Sequence, residues 1–179
     1  MKLTTKNMTL TAALIAMGLI LPTLMHMLAA GTVLLPMHIP VIIAGLLLGA
    51  PYGALCGLIL PYLSSLLTGM PPLFPTAIAM SLELCAYGTL TGWLYRNVKW
   101  SIYPAMIASM LGGRAISGIA NAILMGIAGR AYSLEIFLTA AFVTGFPGIV
   151  IQLSCIPALV LALQKTRFFE TPARRIGTI

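Results

Sequence analysis

The sequence contains few charged residues. Of its 179 residues, 7% are charged and 60% are hydrophobic, whereas about 25% of the residues in a soluble globular domain are charged. This shortage excludes an ordinary soluble globular protein, because too few polar side chains are available to cover its surface. Several apolar runs reach the roughly 20 residues that cross a bilayer, and such runs cross it as helices. The composition therefore predicts an all-α integral membrane protein.

Acidic residues are scarcer than basic ones. Ten lysines and arginines stand against three acidic residues, which gives a formal net charge of +7. A surface that binds nucleic acid would gather basic residues on one face among polar and aromatic neighbours. Here they only bracket apolar runs, so we expect no nucleic-acid partner. The bracketing residues are Lys2, Lys6, Arg96, Lys99, Lys165, Arg167, Arg174 and Arg175.

Motifs for catalysis and nucleotide hydrolysis are missing as well. The sequence has no G-x-x-x-x-G-K-[ST] phosphate loop, no H-E-x-x-H and no G-x-S-x-G, which mark ATPases, zinc proteases and serine hydrolases. Its three cysteines lack the paired spacing of a zinc or redox site. We therefore expect a chain without cofactor, without a bound metal and without ATPase activity of its own.

Pro, Gly and charge clusters divide the apolar sequence into six predicted transmembrane helices in a compact bundle. The basic groups then share one side, which the positive-inside rule makes the cytoplasm, so both termini are expected there. The first run exceeds the roughly 7–15 residues of a signal-peptide core, which favours an uncleaved helix. No polar linker divides the chain, so residues 1–179 are expected to form one domain. The predicted spans are 8–29, 37–49, 52–69, 76–95, 103–128 and 136–164.

The second predicted span, in the stretch PMHIPVIIAGLLLGAPYGALCG, is unusually short. Its roughly 13 residues extend about 20 Å, less than the hydrocarbon core of about 30 Å. Either the connection at residues 30–40 enters the protein or Pro51 kinks one bent element, and interrupted segments of this kind point to a transporter binding site. Glycines four residues apart also let helix backbones approach closely. They are Gly45, Gly49, Gly53 and Gly57.

The candidate polar residues inside the predicted spans are Glu83, Arg114, Asn121 and Gln152. A charged group at the middle of a membrane helix costs about 2.5–3.5 kcal/mol, so it normally faces the bundle interior with a partner. We expect Glu83 and Arg114 to pair, either as a structural ion pair or as direct ligand contacts. Asn121 lies on the same helix face as Arg114, and Gln152 is expected to form an interhelical hydrogen bond.

Two further features lie near the expected outer surface. His38 begins the short helix; the other histidine, His26, offers no metal-site spacing, which favours a hydrogen bond from His38 to loop backbone or to a ligand. The loop TGMPPLFPTA is stiffened by prolines and carries Met70 and Phe74. It is either a rigid flap that closes over a small molecule or a plain interfacial turn.

With these features the chain resembles the substrate-binding S components of energy-coupling factor (ECF) vitamin transporters. The resemblance rests on the small six-span layout, on PMHIPVIIAGLLLG and TGMPPLFP, and on the first helix, MTLTAALIAMG. In that helix Ala12 and Ala16 match the pattern with which family members dock onto a transmembrane coupling subunit. The resemblance implies high-affinity capture of a vitamin, which the coupling subunit and two cytoplasmic ATPases then carry across a bacterial cell membrane.

The candidate ligand-binding residues are our own inference from the sequence: His38, Met70, Phe74, Glu83, Arg114 and Asn121. Arg114 with Asn121 suits a carboxylate, phosphate or amide, which leaves pantothenate, cobalamin, folate, pyridoxine-like and thiamine-related compounds open. The alternatives are a self-sufficient carrier or channel, a metal-ion permease subunit and an intramembrane enzyme. An intramembrane enzyme would need a nucleophile or a pair of carboxylates deep in the bundle, whereas the sequence offers a lone Glu83 beside Ser81 or Tyr87.

Overall fold

A computed structural model describes residues 4–27, 35–130 and 132–164, and these residues form helices joined by short turns without any strand. Irregular helical turns flank α4 at Leu73–Ala77 and Trp93–Asn97, and a third, Thr139–Thr144, joins α6 to α7. The helices are α1 (Thr5–Met27), α2 (His38–Leu48), α3 (Ala50–Thr68), α4 (Ile78–Gly92), α5 (Ile102–Ile127), α6 (Leu134–Leu138) and α7 (Phe146–Gln164).

Five segments of the described chain are long and apolar enough to cross a membrane: Thr5–Pro22, Ala50–Thr68, Leu73–Asn97, Ile102–Ile127 and Phe146–Gln164. The expectation of an all-helical membrane bundle is thus confirmed. Many large apolar side chains point outward, as lipid contact requires, including Ile20, Leu66, Ile119 and Ile127. The number of spans and the side of the termini remain predictions.

The last apolar helix begins later than we predicted. Instead of one element over 136–164, the chain forms α6 and an irregular turn, and α7 begins only at Phe146. Gly145 and Pro147 explain the boundary, since glycine weakens a helix interior and proline is tolerated in a first helical turn.

Helices α2 and α3 form a tight hairpin around one residue. Gly49 adopts φ 105°, in the region that favours glycine, and each helix then packs against α4. A Cβ atom added to Gly45 or Gly53 would lie 2.6 or 2.5 Å from the Gly88 carbonyl oxygen of α4. The glycine spacing therefore does mark close backbone packing, as predicted.

Two details of that prediction were wrong. Gly49 does not lie on a face of α2, because it forms the turn itself, although its backbone still packs against Gly92 of α4. Pro51 does not kink one bent element, because it occupies the first turn of the separate helix α3, where its missing N–H is not needed. The shared partner α4, with Gly88 at the crossing, was not anticipated.

Helix α2 lies inside the bundle. Every one of its residues except Ile39 is buried, and α1, α3, α4 and α7 all pack against it. At 11 residues it extends about 16 Å, roughly half of a hydrocarbon core. The helix therefore begins within the protein, and its first residue, His38, lies in the interior.

The two ends of the bundle are distinguishable. Thr4 N donates to the Tyr52 hydroxyl (3.0 Å), Gln164 Nε2 donates to the Tyr95 hydroxyl (3.1 Å), and Arg96 lies beside Gly49. We call this the Arg96 end. The opposite end, which carries the turns at Gly69 and Gly129, is called the loop end.

Candidate functional site

The first turn of α2 places a histidine against an acidic residue of α4. His38 Nε2 lies 3.6 Å from Glu83 Oε1, and the two residues are 2% and 6% exposed. Tyr87, one helical turn after Glu83, packs edge-on against the His38 ring, with centroids 5.1 Å apart. His38 N donates to Leu35 O (3.1 Å), which ties the start of α2 to the preceding turn.

Helix α5 adds a cation to the same carboxylate. Arg114 Nη1 lies 3.3 Å from Glu83 Oε1, so the predicted Glu83–Arg114 pair is present. Gly113 makes the approach of α4 and α5 possible, because a Cβ atom there would lie 2.8 Å from the Tyr87 ring. The distances of 3.3 and 3.6 Å at Oε1 are ion-pair contacts without hydrogen-bond geometry.

The same face of α5 continues toward the loop end with two more polar residues. Ser117 is buried and interacts with the Glu83 carboxylate. Asn121 Nδ2 donates to the backbone oxygen of Ser117 (2.9 Å) and to its hydroxyl (3.3 Å). Asn121 therefore extends the polar face of α5 that carries Arg114 and Ser117, and its own side chain is half-buried.

Gln152 of α7 lies at a similar depth. Gln152 and Glu83 each stand twelve positions before the Gln164–Tyr95 contact, which corresponds to about 18 Å along each helix. The Gln152 side chain is 1% exposed. The hydrogen bond that we predicted for it does not involve its amide nitrogen within the described part of the chain.

Several buried polar atoms of this polar cluster have no hydrogen-bond partner among residues 4–27, 35–130 and 132–164. Such an atom costs about 1–3 kcal/mol, and more if it is charged, so native proteins contain few of them. Five of these six atoms lie on His38, Glu83 and Arg114, which meet at Glu83 Oε1, and the sixth lies at a similar depth on α7; this is the pattern of a site that receives a polar ligand. The atoms are His38 Nδ1 and Nε2, Glu83 Oε1, Arg114 Nε and Nη2, and Gln152 Nε2.

Two predicted ligand residues lie elsewhere, at the loop end. Met70 and Phe74 are 54% and 46% exposed, so the structure does not bury them with the cluster. The turn that carries them is anchored on α3, since Ser64 Oγ donates to Met70 O (2.7 Å). Their contact with a ligand remains a prediction.

Three neighbours of the cluster were not among the predicted ligand residues: Tyr87, which was mentioned only for the enzyme alternative, Ser117 and Tyr132. The first two were detectable, because they stand four residues after Glu83 and three after Arg114, on the same helix faces. Tyr132 follows α5 at the loop end. Burial raises the pKa of its phenol, and the Glu83 carboxylate raises it further. Tyr132 is therefore within electrostatic reach of the cluster, which no sequence spacing indicated.

The residues predicted to dock a partner lie on the outer face of α1. Ala12 and Ala16 are exposed and form one stripe, four residues apart, with Met8, Ile20 and Leu24. The opposite face of α1 packs into the bundle, where Gly18 lies against Leu60 and Pro40. The stripe is thus accessible to a partner, and docking through it remains a prediction.

The part of the chain that the structure describes holds no group of three or more residues suited to bind a metal ion. The side chain of His26, the other histidine considered for such a site, lies outside the described residues. His38 instead contacts one carboxylate and an aromatic ring, a setting without a second metal ligand.

The comparisons with known proteins bear on the identity of this bundle. No curated protein and no solved structure matches the chain. A family model described as ECF transporter, substrate-specific component, matches residues 6–160, a range that includes His38, Glu83, Arg114 and Gln152. Because this match spans most of the sequence and agrees with the buried polar cluster in an apolar helical bundle, the chain belongs to the family of ECF transporter substrate-specific components.

Proposed function

We propose that this chain is the high-affinity binding subunit of an importer for a water-soluble vitamin or related micronutrient. Family membership makes it a membrane subunit that binds a transported small molecule. The observation that carries the finer proposal is the group of buried, unpaired polar atoms on α2, α4, α5 and α7. A site of this kind suits a small polar molecule that is removed from water almost completely.

The proposed topology has six spans in one domain, with both termini in the cytoplasm of a bacterial cell. Thr4, Arg96 and Gln164 share one end of the bundle, which supports an even number of crossings between them. Arg96 and Lys99 make this the basic end, as expected of a cytoplasmic face. The loop end would then face outward, with the polar cluster below it and Met70 and Phe74 at its rim.

If the chain is a binding subunit, it should bind its ligand but should not transport it without its partners. The purified chain should bind a vitamin in detergent, yet chain reconstituted alone in liposomes should show no sustained uphill uptake. A carrier or channel would instead give flux without any ATPase. Co-reconstitution with the coupling subunit and two ATPases should restore uptake that depends on ATP.

We also propose that the α1 stripe docks on the coupling subunit. Ala12→Trp with Ala16→Trp should abolish ATP-driven uptake and leave ligand affinity nearly unchanged, because the stripe lies outside the cluster. Ala158→Trp is a matched control, since Ala158 is exposed on α7 away from the stripe. A loss of affinity in the α1 variant would contradict the placement of the docking face.

A further inference from the structure

Resting on the proposed function, we propose that the ligand is a small carboxylic acid whose monoanion is held by the Nε–Nη2 edge of Arg114. The two nitrogens are buried and have no hydrogen-bond partner within the described chain, whereas Nη1 contacts Glu83 Oε1 at 3.3 Å. The guanidinium is therefore engaged on one side and unpaired on the other.

The unpaired Nε and Nη2 atoms form an edge with a specific geometry. The N–H groups on Nε and Nη2 point the same way in a planar fork, which matches the two oxygens of a carboxylate. An amide or alcohol offers a single oxygen and would leave one of the two donors unpaired. An unpaired buried donor on a charged group is costly, so the fork selects for a carboxylate.

The charge of the cluster favours a monoanion over a phosphate dianion. Glu83 already places one negative charge on the guanidinium, and among His38, Glu83 and Arg114 only the arginine is cationic whatever the protonation of the histidine. A carboxylate adds one negative charge beside this pair, and a phosphate near neutral pH adds about 1.5 to 2. At low local dielectric the additional repulsion from Glu83 disfavours the dianion.

Glu83 acts as a positioning residue for this fork. It contacts Nη1 from α4, while Tyr87 packs between Gly113 and the His38 ring. The guanidinium is thus held by a carboxylate of the neighbouring helix α4 before a ligand arrives. Such preorganisation strengthens binding, because less side-chain freedom is lost on association.

The remaining unpaired atoms call for a second polar group on the ligand. A neutral His38 has one donor and one acceptor, and Gln152 Nε2 is a donor. A hydroxyl or amide on the same acid can pair with them. The inferred ligand class is therefore a hydroxy- or amide-bearing monocarboxylic acid, which includes pantothenate and excludes thiamine, pyridoxine and the dicarboxylate folate.

The test measures binding of matched pairs to the purified full chain by isothermal titration calorimetry. Each pair contains an acid and its counterpart without the carboxylate: pantothenate with panthenol, nicotinate with nicotinamide, biotin with biotinamide. Folate is added as a dicarboxylate that should bind weakly; thiamine, riboflavin, pyridoxine and cobalamin form the carboxylate-free set. We expect one acid to bind at least about 100-fold more tightly than its counterpart, the loss typical of a broken buried charge pair.

An Arg114→Lys variant sharpens the result. Lysine keeps the charge and loses the fork, so affinity for the acid should fall at least about 50-fold, whereas the weak binding of the counterpart should hardly change. A thermal unfolding scan shows whether the variant folds. If it does not, the acid and counterpart comparison on the unaltered chain decides the question.

The outcomes separate the two levels of the proposal. Tight binding of a carboxylate-free vitamin would overturn the carboxylate assignment and leave the vitamin-binding function standing. Equal affinity for an acid and its counterpart would do the same. No binding of any compound in either set would overturn both.

Discussion

The two ends of α2 each meet an arginine, and the two arginines are used differently. At the Arg96 end, Arg96 Nη1 donates to Leu47 O (2.7 Å), which satisfies a carbonyl that the helix terminus leaves unpaired. At the other end, His38 and Arg114 share Glu83, and atoms on each of the three side chains lack hydrogen-bond partners among the described residues.

The polar groups at the two ends of this short helix therefore differ in whether their hydrogen bonds are satisfied. The Arg96 contact resembles an ordinary helix cap by a basic side chain. The other end keeps buried polar groups that a purely structural ion pair would have satisfied, since unsatisfied groups at this depth destabilise the fold. The contrast supports our proposal that the cluster around Glu83 binds the ligand, whereas the Arg96 contact serves stability.

The largest expected effect comes from disturbing the packing that positions both ends. Gly53→Val should prevent stable folding, because even a Cβ atom would lie 2.5 Å from Gly88 O and backbone cannot move aside. We expect a loss of more than about 3 kcal/mol, at the upper end for overpacking. Size-exclusion chromatography in detergent and thermal unfolding would measure it.

Gly126→Ala is the control for that prediction. Gly126 also lies in a helix, but an added Cβ atom would meet nothing within 4 Å. The alanine variant should unfold at the same temperature as the parent or slightly higher. Equal stability of both variants would show that the α3–α4 contact is looser than described.

The next effect concerns the ion pair itself. Glu83→Ala should destabilise the chain by about 3–5 kcal/mol, because it leaves Arg114 buried without its counter-ion. The Glu83→Ala/Arg114→Ala double variant should lose much less than the sum of the two single variants, since no buried charge is stranded. Thermal and denaturant unfolding of all four chains would give this coupling; strict additivity would contradict a direct pair.

Much of this architecture could be read from the sequence, for physical reasons that also explain the failures. The prediction at 37–49 matches α2 closely because Pro36 and Gly49 flank an apolar run. The enclosure of α2 was not predictable in detail. An apolar helix without a polar face indicates burial, but it does not indicate which helices surround it.

Part of the candidate site could likewise be predicted from the sequence, and part could not. The pairing of Glu83 with Arg114 followed from the cost of lone charges in a membrane. The addition of His38 depended on α2 and α4 lying side by side with matched ends, which the Gly45–Gly88 contact produces and no local pattern encodes. Met70 and Phe74 were grouped with the site because their proline-stiffened loop could close over a small molecule, and the structure leaves them half exposed.

A smaller effect is expected at the Arg96 end. Arg96→Ala should lower stability by about 1 kcal/mol, since it removes one hydrogen bond at a partly buried helix terminus. Ligand affinity should stay within about twofold, because the cluster is not touched. Arg96→Lys, which retains a donor, should recover part of the stability. A large loss of ligand affinity in Arg96→Ala would contradict the proposal that the Arg96 contact serves stability and not binding.

The smallest effect is expected at the rim of the loop end. Phe74→Ala or Met70→Ala should weaken binding by less than about tenfold, because a half-exposed side chain contributes only part of the roughly 1.5–3 kcal/mol of a fully buried one. Leu67→Ala, at the nearby end of α3 and 70% exposed, is the matched control and should not change affinity. If Phe74→Ala instead weakened binding as much as Arg114→Lys, the loop would have to close over the bound ligand, and the flap interpretation would gain over the interfacial turn.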